Sequence, residues 1–263
     1  MIVSFFGVDH KAGTTMITQS VADAIAHNDP SISVVRLSLH NRMGLDFFSH
    51  AAGVVDDLLI SLENRCLNLD LFETVSCKSG SMRVLGGLRD ISLSRKFGVE
   101  EVKYLLNFVK DAYDIVIIDA GADMDNALTT GALICSDQMF YVGTQSESCL
   151  SQFFQISPIV KYCCPVEPSA VILNKFIMNE VYNLQYVSKR LNLPKEVFRM
   201  VIMAEDALKA ERDHVSFFGR RNRQYDADIL ILSDMITSAK GVGPLKRNGG
   251  GLKQFLGLTN LRK

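Results

Sequence analysis

The chain has 263 residues, 48% of them hydrophobic and 22% charged, with a net charge of −1 at pH 7. This composition is typical of a globular protein with a sizeable core, and it gives no overall reason to expect nucleic acid or an anionic surface as the partner. The apolar runs fall well short of the about 20 residues of a membrane span. The short apolar start is not typical of a signal peptide.

The six cysteines form no Cys-x-x-Cys pair. This argues against a zinc site, and a disulfide framework is not expected in so long and apolar a chain. We therefore expect free thiols and a cytoplasmic protein. The charge is uneven, because six basic residues and no acidic one occur from Lys240 onward.

Short apolar runs alternate with helical patterns along the chain. The apolar runs predict strands at 2–6, 33–39, 82–85, 115–119, 138–142, 170–173 and, more weakly, 198–202. The helical patterns cover 14–27, 54–62, 100–111, 126–135, 149–162, 179–191 and 226–239. This alternation predicts a three-layer α/β domain over 1–239, with a mostly parallel sheet flanked by helices and ligands at the carboxyl ends of the strands. Residues 240–263 are predicted to be a flexible basic tail.

The first strand leads through a glycine-containing turn into the first predicted helix. The pattern G-x-x-x-x-G-K-[ST] of a phosphate-binding loop aligns with residues 8–15, with Gly13 and Thr15 in place and Thr14 at the lysine position. Backbone amides at such a turn cradle phosphates, and the Ser/Thr hydroxyl holds Mg²⁺. The predicted phosphate-binding residues are Lys11, Ala12, Gly13, Thr14, Thr15 and Met16. Lys11 either reaches the phosphate or is a solvated loop residue.

A second candidate is Asp119, which ends an apolar strand and is followed by small residues. This is the shape of a Walker B element, whose carboxylate holds Mg²⁺ near the phosphate-binding loop. Thr15 and Asp119 are therefore the predicted metal ligands, and any catalysis is assigned to Asp119 acting through water. The alternative is that Asp119 caps the following turn.

These features together resemble the ParA/MinD family of deviant-Walker-A ATPases over roughly residues 1–240. The resemblance is carried by Tyr113-Asp-Ile-Val-Ile-Ile-Asp, by Ala170-Val-Ile-Leu-Asn-Lys and by Val201-Ile-Met-Ala-Glu-Asp, in the family's order. It implies a P-loop NTPase fold, ATP or ADP with Mg²⁺ as the ligand, adenine recognition by Asn174, and a homodimer.

The chain departs from the family pattern at its charged positions. The signature lysine falls on Asp9, the P-loop lysine on Thr14, and the acidic pair that begins switch I on Ser38 and His40. Losing a charged hydrogen bond of about 1.5–3 kcal/mol weakens binding roughly 10- to 100-fold, and hydrolysis suffers more because phosphoryl transfer depends on charge stabilisation. We therefore expect nucleotide binding with weak or absent hydrolysis.

The Gly-Thr-Thr ending of the loop resembles pilus-associated TadZ- and CpaE-like members, which implies a positioning or assembly factor with protein partners in a pilus or secretion machine. Those members usually carry an additional N-terminal receiver-like domain, and this chain shows none. Two alternatives stay open: a slow ATPase of the partition or cell-division type that uses Lys11, and an interaction module that binds no nucleotide.

Two basic segments bear on further partners. Residues 252–263 form either a disordered tail or a short amphipathic helix that lies on the inner face of a membrane. Residues 209–223 carry several basic side chains and are either solvated surface or a DNA contact, the latter the less favoured. His10 and His40 lack partners at metal-ligand spacing, so no metal site is expected there.

Overall fold

The computed structural model describes residues 1–48, 52–178, 180–202, 205–220, 222–243 and 245. The predicted membrane-binding segment 252–263 lies outside these residues, as do Arg221 of the basic segment and Met203 and Ala204 of the segment after the last strand.

Strands and helices alternate along the described chain. The strands are β1 Ile2–Gly7, β2 Val34–Ser38, β3 Cys77–Ser79, β4 Met82–Leu85, β5 Ile115–Asp119, β6 Gln138–Gly143, β7 Ala170–Phe176 and β8 Phe198–Ile202. The helices are α1 Thr14–Asn28, α2 Leu59–Glu63, α3 Leu69–Val75, α4 Val99–Ala112, α5 Ala127–Ile134, α6 Glu147–Cys163, α7 Leu184–Leu191, α8 Ala207–Arg212 and α9 Arg223–Ala239. Short 3₁₀ turns occupy Val55–Leu58, Ile91–Lys96 and Lys195–Val197.

The strands form one sheet in the order β3-β4-β2-β5-β1-β6-β7-β8. The pairs are parallel except for β3, which runs antiparallel to β4. The predicted three-layer α/β fold is confirmed, and each of the seven predicted strands is present. The sequence did not predict β3, α3 or α8, because such short, partly exposed elements carry no clear periodicity.

The sheet is covered on both faces, which explains why its strands are continuous apolar runs. Alternate residues of each strand enter opposite cores. Val3 and Phe5 of β1 pack with α1, α8 and α9, whereas Ile2 and Phe6 pack on the other side with α2 to α7. None of the helices in the described part of the chain combines the length and apolar character needed to span a bilayer.

The predicted domain boundary at residue 239 coincides with the end of α9. Described residues of the predicted tail nevertheless contact the domain, among them Lys240 and Leu245. Lys240 Nζ lies 2.9 Å from Asp114 Oδ1, and Leu245 is buried, with its amide donating to Asp234 Oδ1 at 2.9 Å.

Strand order brings the ends of three strands together. β5 lies between β1 and β2, and Asp119 at its end is aligned with Phe5 on one side and Ser38 on the other. The loops after β1, β2 and β5 therefore meet at one edge of the sheet, where ligands bind in open α/β folds.

Candidate phosphate-binding site

The β1–α1 turn has the backbone shape of an anion-binding loop. Lys11 and Gly13 both have positive φ, 62° and 88°, and α1 begins directly after Gly13. No side chain of the described residues caps this helix, so the amides of its first turn lack an intrahelical partner. A concave turn with free amides at a helix N-terminus favours an anion.

Side chains at the end of β7 hold this turn from behind. Asn174 Nδ2 donates to the Ala12 carbonyl at 2.8 Å, and Lys175 Nζ donates to the Lys11 carbonyl at 2.8 Å. A Cβ at Gly13 would lie 2.3 Å from Asn174 Nδ2, so only glycine fits there. Two carbonyls of the turn are thus held toward β7, away from any anion.

Asn174 was predicted to recognise adenine, and the structure places it beside the phosphate-binding turn. Its side chain is fully buried, and among the described residues Oδ1 has no hydrogen-bond partner. Because a buried acceptor without a partner is costly, this oxygen is available to a ligand donor. The adenine contact stays a prediction.

The remaining predicted phosphate-binding residues differ in the solvent exposure of their side chains. Lys11 is solvent-exposed, whereas Ala12, Thr14 and Met16 are buried, so these three offer mainly their backbone. The Thr14 hydroxyl packs against the end of β1, since a Cβ built on Gly7 would lie 2.7 Å from it. The position that carries the lysine in a working P-loop therefore holds a small, uncharged, inward side chain.

Asp119, the predicted Walker B residue, is fully buried in a network of its own. Its Oδ2 lies 3.3 Å from Arg36 Nη2 and 3.3 Å from His40 Nε2, and its Oδ1 accepts from the Gly121 amide at 3.1 Å. The Thr15 hydroxyl is also within hydrogen-bonding reach. The structure thus places Thr15 near Asp119 and adds the side chains of Arg36 and His40 to them.

These neighbours decide the ionisation of the carboxyl group. Burial by itself raises the pKa of Asp119, but the adjacent His40 side chain, the charge of Arg36 and the Thr15 hydroxyl outweigh it, so the pKa lies well below its ordinary value. Burial lowers the pKa of Arg36, and the charges of Asp119, Asp23 and Asp46 oppose that shift.

The predicted metal ligands fit a divalent cation poorly. Mg²⁺ requires several oxygen ligands in a near-octahedral shell, and one oxygen of Asp119 already contacts the Arg36 guanidinium and the His40 ring. A metal ion on this carboxylate would also be repelled by the Arg36 guanidinium, which has no exposed surface.

The two histidines lie in different contacts. His10 Nε2 is 3.2 Å from Asp123 Oδ1 in the loop after β5, and His40 contacts Asp119. Within the described part of the chain, no group of three or more His, Cys, Asp or Glu side chains is placed to hold a metal ion.

Sequence reasoning missed Arg36 and Lys175. A signal existed for Arg36, since a single charged residue in the apolar run Val34–Ser38 must be buried and paired if that run is a covered strand. Its partner could not be found from local pattern, because Asp119 is 83 residues away. Lys175 gave no signal beyond following Asn174.

The chain has the fold of ParA- and MinD-type ATPases. It is similar to a ParA family ATPase from Chlorobium tepidum, with a TM-score of 0.77, 19% identity and coverage of 88% of this chain and 98% of that one. It is also similar to the septum site-determining protein MinD of Pyrococcus horikoshii in complex with Mg-ADP, with a TM-score of 0.72, 14% identity and coverage of 91% and 97%. An ATP complex of a variant McdA from Cyanothece gives a TM-score of 0.71, 11% identity and coverage of 94% and 98%.

At the level of sequence, the chain matches no family model and no curated protein. At identities this low, the structural likeness establishes the fold, and the predicted ParA/MinD-like P-loop architecture is confirmed.

Proposed function

We propose that this chain is a nucleotide-binding protein with weak or absent ATP hydrolysis, and that residues 11–16 hold the phosphates of ATP or ADP. The observation that carries the proposal is the β1–α1 turn, which has positive φ at Lys11 and Gly13 and leads directly into a helix whose first turn has no side-chain cap. Proteins of the same fold have been solved with Mg-ADP and with ATP.

Binding through backbone amides alone is expected to be weak. Thr14 replaces the lysine, and one charged hydrogen bond contributes about 1.5–3 kcal/mol, which is a loss of roughly 10- to 100-fold in affinity. Lys11 is the exposed cation nearest in sequence to the turn and is the candidate to recover part of that loss.

Turnover is expected to be feeble because the groups that stabilise charge in phosphoryl transfer are missing or occupied. Thr14 brings no charge, and the Asp119 carboxylate is held by Arg36 and His40. Asp119 acting through water is the only catalytic role that we assign, and its burial makes that role inefficient.

The base of the nucleotide is assigned to the end of β7. The free Oδ1 of Asn174 would accept a hydrogen bond from the exocyclic amino group of adenine while Nδ2 keeps the Ala12 carbonyl. One side chain would then shape the phosphate-binding turn and read the base.

For the cellular role, we propose a homodimeric positioning or assembly factor. Structural neighbours include a septum site-determining MinD, a putative plasmid partition protein of Borrelia burgdorferi and a MinC:MinD complex of Aquifex aeolicus. The pilus or secretion machine remains our preferred setting because the Gly-Thr-Thr loop resembles those members. Analytical ultracentrifugation with and without nucleotide tests the dimer.

The decisive experiment is thermal denaturation of the full chain with ATP, ADP and AMP, combined with a phosphate-release assay. A stabilising shift by ATP or ADP without phosphate release supports the proposal. Phosphate release that is lost in both Lys11→Ala and Asp119→Ala, with Lys103→Ala as the exposed control, favours the slow ATPase. No shift with any nucleotide refutes nucleotide binding and leaves the interaction module.

A further inference from the structure

Arg36 is a buried cation in the middle of the sheet. Its side chain has no exposed surface, and it belongs to β2, which lies between β4 and β5 in the sheet. A buried charge is costly unless it is paired and hydrogen-bonded. Its contact with Asp119, which the Thr15 hydroxyl also reaches, therefore needs an explanation.

Two contacts fix its guanidinium. Nη1 donates to the Gly44 carbonyl at 2.6 Å, and Nη2 donates to Asp119 Oδ2 at 3.3 Å, whereas Nε has no partner among the described residues. The acids whose charge also reaches it are Asp23 on α1 and Asp46 in the loop after β2. Arg36 therefore neutralises the Walker B position and ties it to that loop.

The loop after β2 is held from two sides. The Gly44 carbonyl accepts from Arg36 and, at 3.3 Å, from the Ser38 hydroxyl, and the Met43 carbonyl accepts from the Gly87 amide at 2.8 Å. In many nucleotide-binding proteins this loop is ordered by the nucleotide together with its metal ion. Here protein groups already hold Met43 and Gly44 of this loop.

We propose that Arg36 replaces the divalent cation in this chain, so that the β1–α1 turn takes a nucleotide phosphate without Mg²⁺. This inference rests on the proposed nucleotide binding. The guanidinium neutralises the Asp119 carboxylate. A phosphate bound by the backbone amides of the turn is then not repelled by an unpaired carboxylate. Its contacts with Gly44 and Asp119, and its complete burial, keep it there when a ligand arrives.

The experiment measures binding of fluorescently labelled ATP to the full chain, once in buffer with Mg²⁺ and once in excess EDTA. We expect the dissociation constant in EDTA to agree within about twofold with the one in Mg²⁺. This corresponds to a difference in binding free energy of less than about 0.5 kcal/mol. Arg89→Met, which breaks the exposed pair with Asp57, is the matched control and should behave as the wild type.

Variants at Arg36 make the test specific. Arg36→Met removes the buried guanidinium from Asp119 and leaves His40 and the Thr15 hydroxyl in contact with the carboxylate. Mg²⁺ should now tighten ATP binding by roughly 10-fold, the lower end for one charged contact. Mg²⁺ alone should also raise the melting temperature of this variant and not that of the wild type. Arg36→Lys keeps the charge and should stay independent of Mg²⁺.

The outcomes separate this inference from the proposed function. Binding by the wild type that requires Mg²⁺ overturns the inference and leaves nucleotide binding intact, whereas absence of binding in both buffers refutes both. If Arg36→Met does not fold, the wild type and Arg36→Lys carry the test, because both keep a cation beside the Asp119 carboxylate. Equal affinity in the two buffers supports the inference, and dependence on Mg²⁺ overturns it.

Discussion

Replacement of Arg36 by Met should destabilise the protein through Asp119, even without any ligand. Both side chains are fully buried and lie 3.3 Å apart. Removing one partner of a buried pair costs about 3–5 kcal/mol, because it leaves an uncompensated charge. His40 and the Thr15 hydroxyl still contact the carboxylate, so we expect the lower end, about 3 kcal/mol, or a fall in melting temperature of roughly 6–12 °C.

The assay is urea unfolding of the wild type, Arg36→Met, Asp119→Asn and the double variant, followed by circular dichroism. The double variant removes both charges and should recover part of the loss, which gives a coupling energy of about 2 kcal/mol. The exposed pair Arg89–Asp57, treated the same way, should give less than about 1 kcal/mol. Additive effects at Arg36 and Asp119 would show that the two side chains do not stabilise each other, and the argument for an internal cation would fail.

Three further predictions concern the turn and the end of the domain. Gly13→Ala places a Cβ 2.3 Å from Asn174 Nδ2 at a residue with a φ of 88°. The variant should lower the free energy of unfolding in urea by about 1–3 kcal/mol and abolish nucleotide binding. Thr14→Lys restores the missing cation and should tighten ATP binding roughly 10- to 100-fold in a calorimetric titration. Lys240 and then Ser33 lower the pKa of Asp114 from 3.8 to about 2. The ionised carboxylate thus stabilises the fold above about pH 4, and this contribution is lost as the pH falls toward 2. Lys240→Met should therefore lower the melting temperature at neutral pH, and its effect should shrink over that window.

Each of these has a control. Gly80→Ala tests the cost of a positive φ alone, because Gly80 has φ 60° and nothing within 4 Å of an added Cβ. An equal cost at both glycines would contradict the proposed fit against Asn174. Thr14→Met matches much of the length of lysine without its charge and should not tighten binding. Lys161→Met breaks an exposed pair with Glu167 and is the control for Lys240→Met. A pH profile like that of Lys240→Met would count against Asp114 as the titrating group.

The fold could be predicted from the sequence to a large extent. The alternation of apolar runs with helical patterns identified seven of the eight strands in the described part of the chain, because burial of both sheet faces leaves a local hydrophobic signal. The predicted helix over 54–62 is a 3₁₀ turn followed by the short α2, and the helix predicted over 179–191 begins only at Leu184.

By itself, the sequence determined the β1–α1 turn, the presence of Thr14 at its lysine position and the carboxylate at the end of β5. Each of these is a local arrangement of neighbouring residues. Tertiary structure alone decided that Arg36 pairs with Asp119 and that the Asn174 side chain donates a hydrogen bond to the Ala12 carbonyl. These contacts join residues 83 and 162 positions apart, and they exist only because the strand order places β2 beside β5 and brings the end of β7 to the β1–α1 turn. A local pattern shows that a charge must be buried, whereas only the packed sheet shows which charge meets it.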